Sequence, residues 1–270
     1  MDDKEFTDII SLISKQTGII PGESHKNGIK NFIDKRKKEI NLNGLDYYNY
    51  VFFNKEEMDV LLNHATVNET YFFREEAQFQ LLKTKILPEL NAKLGLNPLR
   101  IWSAAASSGE EIYSLYLLAN SLGIRTECIA TDINTSVLEK GAEGKYKQNS
   151  VKAVDGVKFH YLLSPYMNIE KEVTFPKEIT SKIERYQINL SKADALFPRN
   201  INLIFIRNVF VYFTFEMRKS ILKKITDETL APDGYLFLST NEIATIDSSI
   251  LPKNLEKCSE GNVFYFHKKG

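Results

Sequence analysis

The feature that most restricts the fold of this chain is an apolar run that ends in a turn of small residues and opens directly into a helix. The run is Leu99-Arg100-Ile101-Trp102-Ser103-Ala104-Ala105, the turn contains Ser107-Ser108-Gly109, and Glu110-Glu111 lead into a helical stretch from Ile112 to Leu122. That order of a short apolar strand, a small-residue turn and a helix is one unit of a parallel sheet. It recurs downstream. Cys128 to Ile133 predicts a second strand, carrying an acid, Asp132, at its end. Asn134 to Gly144 predicts a helix with an Asn cap and a Gly stop. Ile201 to Ile206 predicts a buried strand and Phe215 to Thr229 a helix. Ala231-Pro232-Asp233-Gly234 then predicts a turn, Tyr235 to Ser239 a strand, and Val263 to His267 the last strand. Strands alternating with helices give the fold class: α/β with a mostly parallel sheet.

Two regions stand outside this alternation. Residues 1–66 read as helical, and residues 67–270 as the sheet domain. In the first region Phe6, Ile9, Ile10 and Ile13 sit at helical spacing, and Gly18 to Gly28 reads as a loop. Asn31 to Ile40 reads as a basic helix, Asn43-Gly44 as a break, and Leu45 to Phe53 and Glu56 to Ala65 as two more helices. The second exception is an insertion at about 146–188. There Phe159-His160-Tyr161-Leu162 and Val173-Thr174-Phe175 read as small antiparallel strands, and the chain rejoins the sheet between Glu184 and Leu190.

With 270 residues the chain has room for one large domain and a smaller companion. Its 35 Lys+Arg balance 35 Asp+Glu, which argues against nucleic acid as a partner, since such chains usually carry a basic excess. The two cysteines, Cys128 and Cys258, form neither a disulfide framework nor a zinc motif and suit a reduced, cytoplasmic setting. His25, His64, His160 and His267 are scattered, so no metal site is expected. The N-terminus is acidic and lacks a signal-peptide layout. No apolar run approaches the roughly 18 residues that a membrane span needs, so direct membrane insertion is not expected. Nothing in the sequence demands more than a monomer.

In an open α/β sheet, ligands sit at the carboxyl ends of the strands, where the strand order reverses. The turn after the first strand is neither G-x-G-x-x-G nor a P-loop. The acids that follow it would repel a pyrophosphate at the helix start, whereas an ammonium or a sulfonium would be welcomed. S-adenosylmethionine carries both. Asp132, at the end of the second strand, is placed to accept hydrogen bonds from ribose hydroxyls. Each feature also has a plainer reading: Glu110 and Glu111 suit a helix N-terminus, Asp132 resembles a cap, and Thr70 is a cap candidate as well.

Five blocks then occur in order: Asn68-Glu69-Thr70-Tyr71-Phe72-Phe73-Arg74; Trp102 through Ser114; Ala130-Thr131-Asp132-Ile133; Asn189-Leu190; and Arg207-Asn208-Val209-Phe210-Val211-Tyr212-Phe213. In this combination the chain resembles the chemotaxis receptor methyltransferase family over nearly its whole length. The departures are mild: Ile112 stands where Pro is frequent, Ser108 where Thr is common, and Phe210-Val211 where two aliphatics are usual.

The resemblance implies a Rossmann-like S-adenosylmethionine-dependent methyltransferase sheet with a helical N-terminal domain and a small antiparallel β insertion. It also implies that Asn68, Thr70 and Arg74 lie over the cofactor. Glu111 and Asp132 hold its polar end and its ribose, Asn189 and Leu190 border the adenine, and Asn208 and Val209 line the site. Arg74 and Tyr212 are implied to face the substrate. The implied reaction is methyl transfer to glutamate carboxylates of chemotaxis receptors, with S-adenosylhomocysteine as product and the receptors' cytoplasmic domain as partner. Two alternatives stay open: a methyltransferase of this fold with another protein substrate, and a non-catalytic adaptor that binds S-adenosylmethionine. The basic run Lys26, Lys30, Lys35, Arg36, Lys37 and Lys38 reads either as a solvated helix face or as a docking surface for an acidic helical partner.

Overall fold

The structure, a computed structural model, describes residues 2–42 and 46–270. The expected Asn43-Gly44 break and Leu45, at the start of an expected helix, lie outside the described residues. The chain divides into two compact units: Met1–Val67 together with Tyr212–Thr214, and Asn68–Val211 together with Phe215–Gly270.

The first unit is built from α1 (Asp3–Thr17), α2 (Glu23–Glu39), α3 (Tyr47–Phe53) and α4 (Lys55–His64). Its core is the sum of one apolar stripe from each helix: Ile9, Leu12 and Ile13; Ile29 and Ile33; Tyr47 and Val51; and Leu61. Asp2 accepts the Glu5 N–H at 2.7 Å to start α1, and Gly18 ends it in the left-handed region at φ 75°. The expected loop from Gly18 to Gly28 is shorter than the sequence suggests. The helix begins at Glu23 and runs through Gly28, because burying Ile29 and Ile33 outweighs the roughly 1 kcal/mol that a helical glycine costs.

The second unit opens with a helical run that the sequence reading passed over: α5 (Glu76–Leu81), a π-type turn (Leu82–Ile86) and α6 (Leu87–Leu94). The sheet follows. Its strands are β1 (Leu99–Ala104), β2 (Thr126–Asp132), β5 (Ile183–Gln187), β6 (Ile201–Ile206), β7 (Leu230–Phe237), β8 (Leu255–Glu260) and β9 (Val263–Lys268), in the order β5-β2-β1-β6-β7-β9-β8. Pairing is parallel from β5 to β7, while β9 runs antiparallel to β7 and β8. The order reverses between β1 and β6, which pair with Ile101 opposite Leu203. All six residues of β6 are buried, as a central parallel strand covered on both faces requires. Strand β8, which the sequence reading did not identify, forms a hairpin with β9 at the sheet edge.

Helix α7 (Glu110–Ser121) follows β1 and α8 (Thr135–Glu143) follows β2; Asn134 caps α8 by accepting the Val137 N–H at 3.2 Å. The insertion contains one small antiparallel pair, β3 (Lys145–Tyr146) with β4 (Val173–Thr174), and the short α9 (Lys177–Thr180). The expected strand at Phe159–Leu162 is instead a 3₁₀ segment, Val157–Leu162, anchored by fully buried Phe159. Helix α10 (Phe215–Lys224) follows the last block of the resemblance, and the short α11 (Thr240–Ala244) follows β7. The expected turn at Ala231–Gly234 lies inside β7: Ile201 pairs with Leu230 and Leu203 with Tyr235, so the intervening residues bulge out, with Asp233 at φ 57°. No helix among the described residues is long and apolar enough to cross a membrane.

Candidate active site

The site grows from the carboxyl ends of β1, β2 and β6. The turn after β1 is tight enough that Ala105 (φ 60°), Ser107 (φ 50°) and Gly109 (φ 93°) all take left-handed backbone conformations. Asp132, only 6% exposed, holds this turn. One of its carboxylate oxygens accepts the Ser107 N–H at 2.8 Å and the other the Asn134 N–H at 2.9 Å. Burial pushes the Asp132 carboxyl above the usual range, although the N–H groups of Asn134 and Ser107 oppose the shift. A carboxylate offers about four lone-pair positions, so these N–H groups do not exhaust its capacity to accept a ligand's hydroxyl. The Ser107 hydroxyl also donates to the Asn68 carbonyl at 3.1 Å, which brings the first block of the resemblance to the same turn.

Glu111, at the first turn of α7, reaches back to the sheet. It accepts the Ser103 hydroxyl at 2.6 Å and forms a buried ion pair with Arg207 Nε at 2.6 Å. Arg207 follows β6 directly. Its guanidinium also donates to the Arg74 carbonyl at 2.7 Å and to Gln78 Oε1 at 3.1 Å, and it lies over the Phe205 ring. Glu110 is used differently. It accepts the Ser108 hydroxyl at 2.7 Å and the Ser150 hydroxyl at 2.8 Å and makes no ion pair among the described residues. Burial pushes its carboxyl above the usual range. Glu111 is thus matched within the fold, and the acceptor positions left on Asp132 fit a ligand that presents hydroxyl groups.

Asn208 sits at φ 59°, and its N–H donates to Glu242 at 2.7 Å. Glu242, 1% exposed, also accepts the N–H and hydroxyl of Ser239 and the Val211 N–H, so one carboxylate shapes the loop after β6. Val209 is half-buried in that loop. Arg74 is half-buried too. It donates to the Glu69 carbonyl at 3.0 Å, stands 5.4 Å from the centre of the Tyr71 ring and forms no ion pair among the described residues. Thr70 is not a helix cap, because the chain there is irregular and the residue preceding α5 is Glu75.

The remaining residues named from the sequence are held by other contacts. Asn189 Oδ1 accepts both the N–H and the hydroxyl of Ser191, in a local turn. It lines a groove of about 680 Å³ beside Ile129, Tyr186 and Phe197, while Leu190 lines a second, of about 410 Å³, beside Met217 and Lys224. Tyr212 falls in a 3₁₀ turn, Phe210–Tyr212, and groups with the first unit, where its carbonyl accepts the Ile20 N–H at 3.3 Å.

Sequence reasoning missed Arg207 and Glu242 as organisers of the site. The signal for Arg207 was present: a charge directly after a wholly apolar strand, the same signal that pointed to Asn208. Glu242 gave none beyond its place three residues after Ser239, the spacing of a capping box.

Comparison with known proteins gives a consistent result. Residues 68–257 match the CheR methyltransferase, SAM binding domain family. The chemotaxis protein methyltransferase of Borreliella burgdorferi is 32% identical over 93% of this chain and 90% of its own length. The chemotaxis protein methyltransferase of Salmonella typhimurium is 31% identical over 90% of this chain and 84% of its own. That of Escherichia coli is 31% identical, over 90% and 85%.

Proposed function

This chain belongs to the CheR methyltransferase family, a methyltransferase family with an S-adenosylmethionine-binding domain, and on that premise we propose which acceptor it methylates. The acceptor is the side-chain carboxylate of glutamate in the cytoplasmic domain of chemotaxis receptors, and the product is a methyl ester. The observation that carries this reading is Arg74: a guanidinium beside the candidate site that hydrogen-bonds a backbone carbonyl and packs on a tyrosine ring, with no carboxylate of the described residues against it. Such a group is free to receive an anionic partner.

A glutamate side chain has a pKa of about 4.3, so the acceptor is ionised at neutral pH and needs no general base. S-adenosylmethionine, when bound, would supply a methyl group on a sulfonium whose departure as a neutral thioether balances the new O–C bond, so no proton would have to move. The chain's residues are left with placement. Asp132 would take ribose hydroxyls on its remaining lone pairs, and Glu111, whose charge is shared with Arg207, would face the cofactor's polar end. Asn68, Thr70, Asn208 and Val209 would close the walls, and Asn189 and Leu190 would border the base. Arg74 would hold the acceptor, with Tyr212 completing its placement. The hold must be loose, because the carboxylate's charge disappears as the ester forms and a tightly paired carboxylate is a poorer nucleophile.

The test is transfer of labelled methyl groups to receptor cytoplasmic fragments, followed by mild base. Glutamate esters release the label as methanol; label that survives base means a different acceptor and sinks the reading.

A further inference from the structure

The insertion that interrupts the sheet reaches the loop bearing Arg74, and one of its carboxylates accepts three hydrogen bonds from that loop. Asp155 Oδ2 accepts the Tyr71 hydroxyl at 2.9 Å and the Glu75 N–H at 2.7 Å; Oδ1 accepts the Glu76 N–H at 3.0 Å and the Gly156 N–H at 2.9 Å. These contacts bracket Arg74 on both sides in sequence. The bracketed backbone is strained, with Phe73 at φ 55° and Glu75 at φ 61°, a region that bulky side chains rarely adopt. Such backbone persists only where its surroundings over-determine it. Further ties are present. The Phe73 N–H donates to Ser114 Oγ at 2.9 Å, and the Phe72 N–H to the Ser150 carbonyl at 2.9 Å. Gly156 packs so closely that a Cβ there would stand 2.8 Å from the Phe72 carbonyl oxygen and from Phe73 Cβ.

The side chains continue the pattern. Arg74 Cζ and Lys152 Nζ each lie 5.4 Å from the centre of the Tyr71 ring. The face of an aromatic ring attracts a cation. The ring on which the Arg74 guanidinium rests is therefore fixed at its hydroxyl by Asp155. Burial alone would raise the Asp155 carboxyl; the Glu76 and Glu75 N–H groups and the Tyr71 hydroxyl outweigh it and hold the group below the usual range, so it stays ionised near neutrality.

We propose that Tyr71 and Asp155 are positioning residues for Arg74: the Tyr71 ring is the platform for its guanidinium, and Asp155, from the insertion, locks both that platform and the strained backbone on either side. The inference deepens the proposed function, because positioning Arg74 matters for turnover only if Arg74 receives the acceptor.

The test uses the full chain with Tyr71→Phe, Tyr71→Leu and Asp155→Asn. It has two readouts: steady-state methyl transfer to receptor fragments, and ¹⁵N relaxation of the Arg74 Nε–Hε group in the presence of S-adenosylhomocysteine. Tyr71→Leu is expected to lower kcat by about 10- to 100-fold, the scale of a small misplacement of a reacting group, with KM for S-adenosylmethionine within about 3-fold of wild type. Tyr71→Phe keeps the ring but loses the bond to Asp155, and like Asp155→Asn it is expected to lower kcat by about 3- to 10-fold, less than Tyr71→Leu. The Arg74 signal should be rigid in wild type, most mobile in Tyr71→Leu and intermediate in Tyr71→Phe. Equal rigidity in Tyr71→Leu and wild type overturns the platform, as does a kcat loss in Tyr71→Phe equal to that in Tyr71→Leu. Asp155→Asn with wild-type kcat and a wild-type Arg74 signal removes Asp155 from the lock. If Tyr71→Leu does not fold, as melting curves would reveal, the Asp155→Asn and Tyr71→Phe results decide alone. A wild-type chain that transfers no methyl group to receptor fragments defeats the proposed function, while the relaxation data still decide whether Tyr71 and Asp155 hold Arg74.

Discussion

Arg36 and Arg74 are the same side chain put to opposite uses. Arg36, on α2 of the first unit, binds the Glu57 carboxylate through Nε at 3.0 Å and through its terminal nitrogen at 2.9 Å, and the same carboxylate accepts the Tyr47 hydroxyl at 2.6 Å. Glu57 is 4% exposed. Other basic residues of α2 are paired too: Lys37 with Glu5 of α1, and, more exposed and within α2 itself, Lys26 with Glu23 and Lys35 with Glu39. Arg74, in the second unit, has a carbonyl and a ring as partners. Backbone strain divides in the same way. Phe73, Glu75, Ala105, Ser107 and Asn208 take positive φ around the candidate site, whereas the first unit shows Asn41 as its one such non-glycine residue among those described. The contrast teaches that a charged cluster in a sequence is not by itself a surface for partners. An arginine neutralised by a buried carboxylate, as Arg36 is by Glu57, ties α2 to α4; one left without a counter-ion among the described residues, between strained neighbours, is available for chemistry.

Five substitutions would break or sharpen this contrast. The largest effect is expected for Arg74→Ala: turnover falls by about 100-fold or more, while S-adenosylhomocysteine affinity, measured by calorimetry, stays within several-fold and the melting temperature is unchanged. Glu57→Ala should do the reverse, lowering unfolding stability by about 3 kcal/mol in a denaturant titration, since it leaves Arg36 and the Tyr47 hydroxyl unmatched, yet sparing cofactor affinity. A stability loss in Arg74→Ala as large as that in Glu57→Ala would erase the distinction. Asp132→Ala should weaken S-adenosylhomocysteine binding by about 10- to 100-fold, because it removes the ribose acceptor and leaves the Ser107 and Asn134 N–H groups unpaired. Unaltered affinity would contradict its role.

The pH dependence separates two buried glutamates. Burial would raise the Glu57 carboxyl, but hydrogen bonds from Arg36 and Tyr47 hold it below the usual range. Its stabilisation is therefore present above the unfolded pKa and lost as pH falls through the folded value. Glu110 is raised by burial, so its folded form favours the proton, and stability declines as pH rises through its folded pKa. Glu110→Gln should accordingly stabilise the protein at neutral pH by on the order of 1 kcal/mol, an advantage that vanishes near pH 4 in melting curves. The smallest stability effect belongs to Lys35→Ala. Its side chain is 79% exposed and its pairing with Glu39 spans 3.5 Å, so stability should move by less than about 0.5 kcal/mol. Weaker binding to receptor fragments by this variant would assign docking to the solvated face of α2; wild-type binding would leave α2 a structural helix.

Much of the fold was legible because its signals are local. The strands at Leu99, Cys128 and Ile201 announce themselves by apolar runs, and the helix from Asn134 to Gly144 by its caps, since strand pattern and capping are settled within a few residues. Gly28 inside a helix, the 3₁₀ segment at Val157–Leu162, the bulge at Asp233 and strand β8 were not legible. Each is decided by what packs against it from elsewhere in the chain. The site divides along the same line. Asp132 and the turn at Ser107–Gly109 could be placed from the order of elements, because a parallel sheet puts its strand ends on one edge.

The sequence by itself determined the alternation that builds the sheet, the crevice where the strand order reverses, and the acids gathered there. The tertiary structure alone decided which of those charges are spent internally. Glu111 is matched by Arg207, 96 residues away, and Asp155 reaches Glu75 from 80 residues downstream. Covalent neighbours fix backbone preference over a turn or two, but whether a buried charge meets a counter-ion depends on distances that exist only once the chain has closed on itself.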